Sequence, residues 1–361
     1  MKILFAGGGT AGHIEPALAV ARAWKRSHPE DQILFIGTAS GLETSLIPAA
    51  GFELHLIPKV AISRSLSPSL LRVPFQLIAS ILATVRALRG VDCAVGFGGY
   101  VSGPLYLAAT ITRTPFVIHE QNAKPGWANR MGARLTRYCA ISYTVEETEF
   151  RSAELTGLPL KDDVVVKINE SLGDWAHARK SAKIEVAKRF GIESGKPLIF
   201  IFGGSQGSQA INAVIENSRD QLITSGYSIL HGVGKNNPLP AGDSSYQALS
   251  YIDDMALCYL AADLLIARSG AVTCAEAAAL ARFSLFIPLP VGNGEQALNA
   301  ASLVAAGRAE LIEQREFTPT WLVGNIERLI VASATRPEAG DPSGIGAVDK
   351  IVKMIEKAAG K

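Results

Sequence analysis

Cysteine is scarce in this chain of 361 residues, and charge of neither sign is in excess. The four cysteines, Cys93, Cys139, Cys258 and Cys274, lie far apart among apolar residues and form no C-x-x-C pair. This spacing argues against a zinc site or a disulfide framework and predicts buried free thiols in a reducing compartment. The 35 basic and 33 acidic residues nearly balance, so we expect no nucleic-acid partner.

Long uninterrupted hydrophobic runs are also missing. The longest uncharged apolar window, residues 93–112, contains four glycines and Pro104, so it predicts a strand, a glycine-rich turn and a helix start rather than a membrane span. Residues 1–5 lead directly into glycines, without the apolar region of a secretion signal. Hydrophobic residues still make up 48% of the chain, which excludes disorder as the dominant state, and the length predicts two domains.

Apolar strands alternate with helical patterns along the chain, which is typical of a parallel sheet covered by helices on both faces. A strand, a glycine-rich loop and a helix start occur at the N-terminus and again from Pro197. The sequence therefore predicts an α/β protein with two doubly wound domains that face each other across a cleft. The strands are predicted at residues 2–6, 33–37, 54–57, 93–97, 115–119, 138–141, 197–202, 227–231, 263–267, 284–288 and 309–312.

The break between the domains is predicted at Gly157 and Pro159, which follow the sixth strand. We expect an N-terminal domain over residues 1–157 and a C-terminal domain over residues 158–343. The last segment, residues 344–361, has an amphipathic helical pattern, and we expect it to pack back on the first domain.

The first glycine-rich loop matches the dinucleotide pattern Gly7-x-Gly9-x-x-Gly12. A nicotinamide enzyme would also carry an acidic residue at the end of the second strand, and this chain has Thr38 and Ala39 there. The loop and the helix start after it are suited to a phosphate or a developing negative charge, although a plain tight turn would look the same. His13 follows at once and is either a site residue or a helix-terminus residue.

Polar side chains follow several other strands, where a parallel sheet places its ligand crevice. In the N-terminal half they form the run His119-Glu120-Gln121-Asn122. In the C-terminal half they are Ser205, Ser269, Glu276, and the group Glu295, Gln296 and Asn299. Glu276 can accept hydrogen bonds from two vicinal hydroxyls, and the amides suit sugar hydroxyls. Ordinary helix capping and interaction with the helix dipole are the alternatives.

Taken together, these motifs resemble the MurG family of peripheral membrane N-acetylglucosaminyltransferases of peptidoglycan synthesis, over essentially the whole chain. The resemblance rests on Gly8-Gly9-Thr10-Ala11-Gly12-His13, Phe97-Gly98-Gly99-Tyr100, His119-Glu120-Gln121-Asn122, Gly203-Gly204-Ser205-Gln206-Gly207, Tyr251-Ile252-Asp253-Asp254-Met255, Arg268-Ser269-Gly270 and Gly294-Glu295-Gln296.

The resemblance implies the GT-B fold, with two Rossmann-like domains, and inverting transfer of N-acetylglucosamine from UDP-N-acetylglucosamine (UDP-GlcNAc). The acceptor would be the muramoyl 4-hydroxyl of undecaprenyl-linked lipid I, and the product lipid II. His13 would be the acceptor-side base, or a residue that orients it, and Glu120 the second catalytic candidate. The implied substrate-binding residues are Thr10, Ala11, Gly12, Asn122, Lys161, Ser205, Ile252 (uracil), Ala271, Val272 and Thr273 (diphosphate), Glu276 (ribose) and Gln296 (sugar).

The chain departs from the family pattern at three places. Ala11 replaces a frequent glycine, so its backbone must be allowed for a residue with a side chain. Lys161 stands where many members have arginine and cannot form a bidentate clamp. Glu295 replaces one of two amides, which leaves its role open.

We expect no obligatory metal and no cofactor. The chain has no Asp-x-Asp pair in a metal-binding setting. The adjacent pairs Asp162-Asp163 and Asp253-Asp254 are expected to point to opposite sides of a strand.

Residues 54–91 contain no acidic residue but five basic ones, Lys59, Arg64, Arg72, Arg86 and Arg89, among many apolar residues. Such a segment is typical of a protein that lies on an anionic leaflet, and a buried helix with solvated arginines is the alternative. With the resemblance, it predicts a peripheral protein on the cytoplasmic face of the cell membrane. Proteins of cell-wall synthesis are further candidate partners.

Three other functions stay open from the sequence. Another GT-B enzyme, such as a glycolipid synthase or a UDP-GlcNAc 2-epimerase, would share the fold. The basic apolar segment argues against an epimerase, whose substrate is soluble. The last alternative is a protein that binds a sugar nucleotide but does not catalyse a reaction. The presence of His13, Asn122 and Glu276 argues against it.

Overall fold

The computed structural model of the protein describes residues 1–60, 72–335 and 339–360. The described chain divides into two compact units. Unit 1 comprises Met1–Lys161 and Gly344–Lys361, and unit 2 comprises Asp162–Ser343. Arg64 of the predicted membrane segment lies outside the described residues.

Unit 1 is built on a parallel sheet of seven strands in the order β3-β2-β1-β4-β5-β6-β7. Its strands are β1 (Lys2–Ala6), β2 (Gln32–Gly37), β3 (Glu53–Leu56), β4 (Cys93–Gly96), β5 (Phe116–Glu120), β6 (Cys139–Ile141) and β7 (Glu154–Leu155). The six predicted strands of this half are confirmed. The seventh, β7, was missed because two exposed edge residues carry no apolar periodicity.

Helices cover both faces of this sheet. They are α1 (Ala11–Ser27), α2 (Glu43–Ala49), α3 (Val73–Ala87), α4 (Ser102–Thr112), α5 (Trp127–Ala133) and the C-terminal α13 (Ala347–Ala358). Helix α13 buries Ile351 and Ile355 in a core with Ile14 and Trp24 of α1, whereas Leu105 and Tyr106 of α4 belong to the core on the other face. The C-terminal helix is thus part of unit 1.

Unit 2 repeats this architecture with six parallel strands in the order β10-β9-β8-β11-β12-β13. The strands are β8 (Leu198–Phe202), β9 (Ser228–Gly232), β10 (Tyr246–Leu249), β11 (Leu264–Ala267), β12 (Ser284–Phe286) and β13 (Ala309–Leu311). The helices are α6 (Asp162–Ser171), α7 (Trp175–Phe190), α8 (Gln209–Thr224), α9 (Met255–Ala261), α10 (Ala271–Ala279), α11 (Glu295–Ala305) and α12 (Pro319–Ala334). Strand β10 was not predicted, because its four residues include Gln247 and form no continuous apolar run.

The two aspartate pairs do not lie in strands, so that part of the sequence prediction is wrong. Asp162 and Asp163 occupy the first turn of α6. Asp254 is the N-cap of α9, where its carboxylate accepts a hydrogen bond from the Leu257 N–H at 3.1 Å. Aspartate is favoured at both positions because helix N-termini present free N–H groups and a positive dipole end.

All four cysteines are buried free thiols, as expected from their apolar surroundings. Burial raises the pKa of Cys93, Cys139 and Cys258 to about 12. Within residues 1–60, 72–335 and 339–360, no helix combines the length and apolar character needed to cross a bilayer.

The strand order marks where each unit can bind a ligand. In unit 1 the direction of winding reverses between β1 and β4, and in unit 2 between β8 and β11. Doubly wound sheets bind ligands outside the carboxyl ends of the strands at such switch points. The loops that follow these four strands carry the glycine-rich motifs of the sequence.

Candidate active site

The loop after β1 leads into α1 with an uncapped helix N-terminus. Thr10 is the N-cap residue, but its side chain accepts no hydrogen bond from the helix backbone. Ala11 is the first residue of α1 and does not have a positive φ, so its methyl group fits without backbone strain. The N–H groups of Ala11 and Gly12 belong to the unpaired first turn and carry the positive end of the helix dipole.

His13 lies in this first turn and is held by Thr10. The Thr10 Oγ1 and the His13 Nδ1 are 2.9 Å apart. Desolvation by burial lowers the pKa of His13 from 6.5 to about 4, so its imidazole is neutral at pH 7. When Nδ1–H donates to Thr10, the lone pair of Nε2 is free to accept a proton.

The loop after β4 packs directly on the loop after β1. Gly99 has a φ of 77°, and a Cβ atom there would lie 2.5 Å from the carbonyl oxygen of Gly8. Glycine is therefore required for this close approach. A Cβ atom on Gly98 would lie 3.2 Å from Cδ2 of His13, so the two loops also enclose the imidazole.

A buried carboxylate, which the sequence analysis missed, joins these loops. Glu43 of α2 is 0% exposed. Its Oε2 accepts a hydrogen bond from the Gly9 N–H (3.1 Å), and its Oε1 accepts from the Tyr100 hydroxyl (2.7 Å) and from the Thr38 N–H (3.0 Å). Burial alone would raise the pKa of Glu43, but these hydrogen bonds outweigh it and lower the pKa below 4.5.

Glu120, predicted as a catalytic residue, is buried at the end of β5, with hydrogen bonds to both carboxylate oxygens. Oε1 accepts from the N–H (2.9 Å) and the side-chain amide (3.1 Å) of Asn122. Oε2 accepts from the Gly126 N–H (2.9 Å) and from Nδ2 of Asn129 (3.0 Å). Burial raises the pKa of Glu120 despite these bonds. The carboxylate thus holds the loop that presents Asn122.

Asn129 is a second residue that the sequence analysis missed. It is buried on α5, where its Oδ1 accepts from the Tyr106 hydroxyl at 2.6 Å. Its Nδ2 also donates to the His119 carbonyl oxygen at 3.1 Å. A lone asparagine in a helix with apolar residues was the available signal, because a buried amide requires polar partners.

Lys161 is engaged within unit 1. Its Nζ lies 3.3 Å from Oε1 of Glu15, which is on α1 two residues after His13. The ion pair fixes the end of unit 1 against the helix that carries the candidate base. Any contact of Lys161 with a substrate would share the ammonium group with Glu15.

In unit 2, the loop after β8 carries Ser205 and then Ser208, the N-cap of α8. The Ser208 Oγ accepts from the Ile211 N–H (3.4 Å) and from the guanidinium of Arg268 (2.8 Å). Arg268 also donates to the carbonyl oxygens of Ile287 (3.0 Å) and Pro288 (3.2 Å). It therefore ties together the loops after β8, β11 and β12.

The N-terminus of α10 is likewise without a side-chain cap. Gly270 is its N-cap and offers no side-chain hydrogen bond, so the N–H groups of Ala271, Val272 and Thr273 have no partner within the helix. The hydroxyl of Ser269, just before it, is buried and has no hydrogen-bond partner among the described residues. These donors form a ready site for an anionic group.

Glu276 and Ile252 lie on either side of this helix start along the chain. Glu276 is in α10 and is buried; burial, together with this carboxylate, raises the pKa of the Tyr259 hydroxyl well above 10. Ile252, in the loop after β10, buries its side chain. Among the described residues, no hydrogen bond involves its backbone N–H or C=O, so both are available to a base.

Gln296 is the second residue of α11, directly after Glu295. Its Oε1 accepts from the Leu289 N–H at 3.0 Å, which leaves its amide N–H groups as donors. Glu295 accepts from the Asn293 N–H through Oε2 at 3.2 Å, and Asn293 Oδ1 accepts in return from the Glu295 N–H at 3.2 Å. Glu295 and Asn293 thus hold each other at the start of α11.

The predicted site residues accordingly form two groups. One lies at the carboxyl edge of the unit 1 sheet: Thr10, Ala11, Gly12, His13, Glu120 and Asn122, with Lys161 held against α1. The other lies at the carboxyl edge of the unit 2 sheet: Ser205, Ile252, Ala271, Val272, Thr273, Glu276 and Gln296.

Both units match family models of one enzyme class. Residues 3–141 match the glycosyltransferase family 28 N-terminal domain, and residues 198–353 match the glycosyltransferase family 28 C-terminal domain. The predicted fold class, GT-B with two Rossmann-like parallel-sheet domains, is confirmed. Fold and sites together define a two-domain glycosyltransferase.

Curated relatives narrow this class. A protein of Thermobifida fusca (strain YX) is 40% identical over 366 residues, which cover 99% of this chain and 89% of the relative. A protein of Corynebacterium glutamicum (strain R) is 39% identical over 343 residues, which cover 94% and 92%. Both are named UDP-N-acetylglucosamine–N-acetylmuramyl-(pentapeptide) pyrophosphoryl-undecaprenol N-acetylglucosamine transferase.

Comparison with solved structures gives the same family as the curated relatives. MurG of Acinetobacter baumannii matches with a TM-score of 0.69 and 26% identity over 99% of both chains. The chain belongs to the MurG group of glycosyltransferase family 28. A UDP-GlcNAc 2-epimerase of Neisseria meningitidis shares the fold alone, with a TM-score of 0.59 and 15% identity.

Proposed function

We propose that this protein transfers N-acetylglucosamine from UDP-GlcNAc to the muramoyl 4-hydroxyl of lipid I, with inversion at the anomeric carbon, and so forms lipid II for peptidoglycan synthesis. The observation that carries this proposal is the pair of uncapped helix N-termini at the two switch points, one beside Glu276 and the other beside His13. The relatives at about 40% identity, whose name states this reaction, support it.

Unit 2 is proposed to hold the donor. The N–H groups of Ala271–Thr273 and the Ser205 hydroxyl would bind the diphosphate, whose negative charge grows as the sugar leaves. Glu276, buried in α10, would accept hydrogen bonds from the ribose hydroxyls. The Ile252 backbone would pair with uracil, and the amide of Gln296 would donate to the sugar.

Unit 1 is proposed to supply the base. Nε2 of His13 takes the proton of the muramoyl 4-hydroxyl as that oxygen bonds to the anomeric carbon. The bond from the anomeric carbon to the diphosphate oxygen breaks at the same time, and UDP leaves with the electron pair. A neutral imidazole is required for this step, and the desolvation that lowers the pKa of His13 favours that form.

Glu120 and Asn122 would then act as a pair on the acceptor side. Since four hydrogen bonds occupy the Glu120 carboxylate, we assign it the task of fixing the loop. Asn122 is thereby held at the carboxyl end of β5, where we place the acceptor hydroxyl.

Helix α3 is proposed to be the membrane-docking surface. It exposes Phe75 (75%), Ile78 (55%) and Leu82 (53%) and buries Ser80 and Thr84 instead. Because its large apolar side chains are exposed, α3 does not fit the alternative of a buried helix with solvated arginines. Arg72, Arg86 and Arg89 are exposed beside it and would attract anionic lipids, each by about 1 kcal/mol. This surface would place the protein on the cytoplasmic face of the membrane, where lipid I is the acceptor.

The test is transfer of labelled N-acetylglucosamine from UDP-GlcNAc to a short-chain lipid I analogue, run beside UDP-glucose and UDP-N-acetylgalactosamine. We expect an acceptor-dependent product with UDP-GlcNAc and little with the other two donors. Release of UDP-N-acetylmannosamine without acceptor would instead identify a 2-epimerase. UDP-GlcNAc binding without any product would identify a binding module. Either result overturns the proposal.

A further inference from the structure

We propose that Glu43 is a positioning residue for the reaction, acting through the backbone of the loop that carries His13. This inference rests on the function proposed above. Glu43 is on α2, away from the glycine-rich motifs in sequence, and no motif includes it. Its carboxylate is nevertheless the point at which three separate loops meet.

The three loops follow three neighbouring strands of the unit 1 sheet. Gly9 follows β1, Thr38 follows β2 and Tyr100 follows β4. Each donates at least one hydrogen bond to the Glu43 carboxylate, and the Thr38 hydroxyl, a further donor at 3.2 Å, also lies 3.0 Å from the Tyr100 hydroxyl. The buried charge is therefore satisfied by four donors, as a stable buried carboxylate requires.

The two carboxylate oxygens have different tasks. Oε1 takes the donors from Thr38 and Tyr100, while Oε2 takes the Gly9 N–H alone. Gly9 has a φ of 92°, and a Cβ atom there would lie 2.8 Å from the Tyr100 ring. Glu43 and Tyr100 thus fix the Gly9 backbone from both sides, immediately before Thr10.

Fixing Gly9 matters for chemistry because Thr10 is the next residue and positions His13. A catalytic group displaced by about 1 Å can lose about 100-fold in rate. Glu43 does not touch a reacting atom in this arrangement. We therefore expect Glu43 to affect kcat. Donor affinity should not change, because we place the donor on unit 2.

The decisive variant is Glu43→Gln. The amide oxygen can replace Oε1 towards three donors, but the NH₂ group then faces the Gly9 N–H, donor against donor, so that one hydrogen bond is lost. We expect kcat to fall about 10- to 100-fold, with the KM for UDP-GlcNAc and the Kd for UDP unchanged. Glu53→Gln, an exposed glutamate on β3, is the matched control and is expected to turn over like the wild type.

Hydrogen exchange of residues 7–12 provides a readout that does not depend on turnover. We expect faster exchange of the Gly9 amide in Glu43→Gln than in the wild type or Glu53→Gln. If the wild type shows no transfer, the proposed function fails, while the exchange result still tests the Glu43–Gly9 link. Wild-type kcat in Glu43→Gln, or a loss of UDP affinity equal to the loss of kcat, overturns the inference.

A milder variant covers the case in which Glu43→Gln does not fold. Thr38→Val removes the hydroxyl that donates to Oε1 and contacts the Tyr100 hydroxyl, and it keeps the side-chain volume and the Thr38 backbone donor. We expect a fall in kcat of a few-fold, again without a change in UDP affinity. An unchanged kcat in a folded Thr38→Val protein, together with unchanged exchange at Gly9, contradicts the positioning role.

Discussion

Thr10 Oγ1 lies 2.9 Å from Nδ1 of His13, and this contact engages one of the two nitrogens of the imidazole. If Nδ1 carries the hydrogen and donates to Thr10, Nε2 has a free lone pair. The N-cap residue of α1 therefore does not cap its helix but orients the histidine three residues further on.

Replacing either partner tests this arrangement. We expect His13→Ala to lower kcat by about 10²- to 10⁴-fold, the usual contribution of a general base. Thr10→Val, which loses one hydrogen bond, is expected to lower kcat about 5- to 10-fold, and Thr10→Ser to retain most activity. Steady-state kinetics with the lipid I analogue and calorimetry with UDP separate turnover from donor binding. Wild-type turnover in His13→Ala would remove His13 from the mechanism.

Three histidines whose pKa is lowered by desolvation predict how stability depends on pH: His13, described above, His119 and His231. Burial lowers the pKa of His119 in unit 1 and of His231 in unit 2 to about 4. Between pH 6.5 and about 4 the unfolded chain therefore binds more protons than the folded one. The free energy of unfolding should fall as pH falls through this window, by up to about 1.4 kcal/mol per pH unit for each histidine.

Urea unfolding at pH 7 and pH 5 measures this dependence. We expect a lower midpoint at pH 5, and a weaker pH dependence in His231→Gln, which has no titrating imidazole. His177→Gln, an exposed histidine of unit 2, is the control and should keep the wild-type dependence. A midpoint that rises on acidification would contradict the assignment of neutral buried imidazoles.

Recognition of the ribose by Glu276 can be isolated with a matched pair of ligands. Hydrogen bonds to a charged group contribute about 1.5–3 kcal/mol, so the wild type should bind UDP at least about 10-fold more tightly than 2′-deoxy-UDP. In Glu276→Gln this preference should shrink. Titration calorimetry gives both affinities, and Glu216→Gln on the exposed face of α8 is the control. An undiminished preference in Glu276→Gln would place the ribose elsewhere.

The α3 surface predicts a membrane phenotype that is separate from catalysis. Phe75→Ser, Ile78→Ser and Leu82→Ser combined, or charge reversal of Arg72, Arg86 and Arg89, should weaken binding to anionic vesicles by about 100-fold or more. UDP affinity should not change. The control combines Ile184→Ser and Val331→Ser, which are equally exposed apolar residues of unit 2. If the control weakens vesicle binding as much as the α3 variant, the α3 surface has no special role.

Much of the fold could be predicted because its signals are local. Buried parallel strands such as β1 and β8 are continuous apolar runs, and each is followed by glycines that mark the loop. The edge strands β7 and β10 lack such runs and were missed. The aspartate pairs were misplaced because the same residues can stand in a strand or begin a helix, and only the packing around α6 and α9 decides which.

The site was predicted less completely, because its supporting contacts are distant in sequence. Two of the four hydrogen bonds to Glu43 come from residues 34 and 57 positions away, a relationship that no motif records. The composition of α3 was visible in the sequence, but which of its sides is exposed depends on α4, against which it packs. Ser80 and Thr84 face inwards there, and the large apolar side chains are left outside.

A crystal structure with UDP-GlcNAc bound is the most direct test of the donor site proposed on unit 2. We expect the diphosphate on the N–H groups of Ala271–Thr273, the ribose hydroxyls at Glu276 and the uracil on the Ile252 backbone. A nucleotide bound away from the N-terminus of α10, or an empty site at saturating donor, would contradict the proposed donor site and the function built on it.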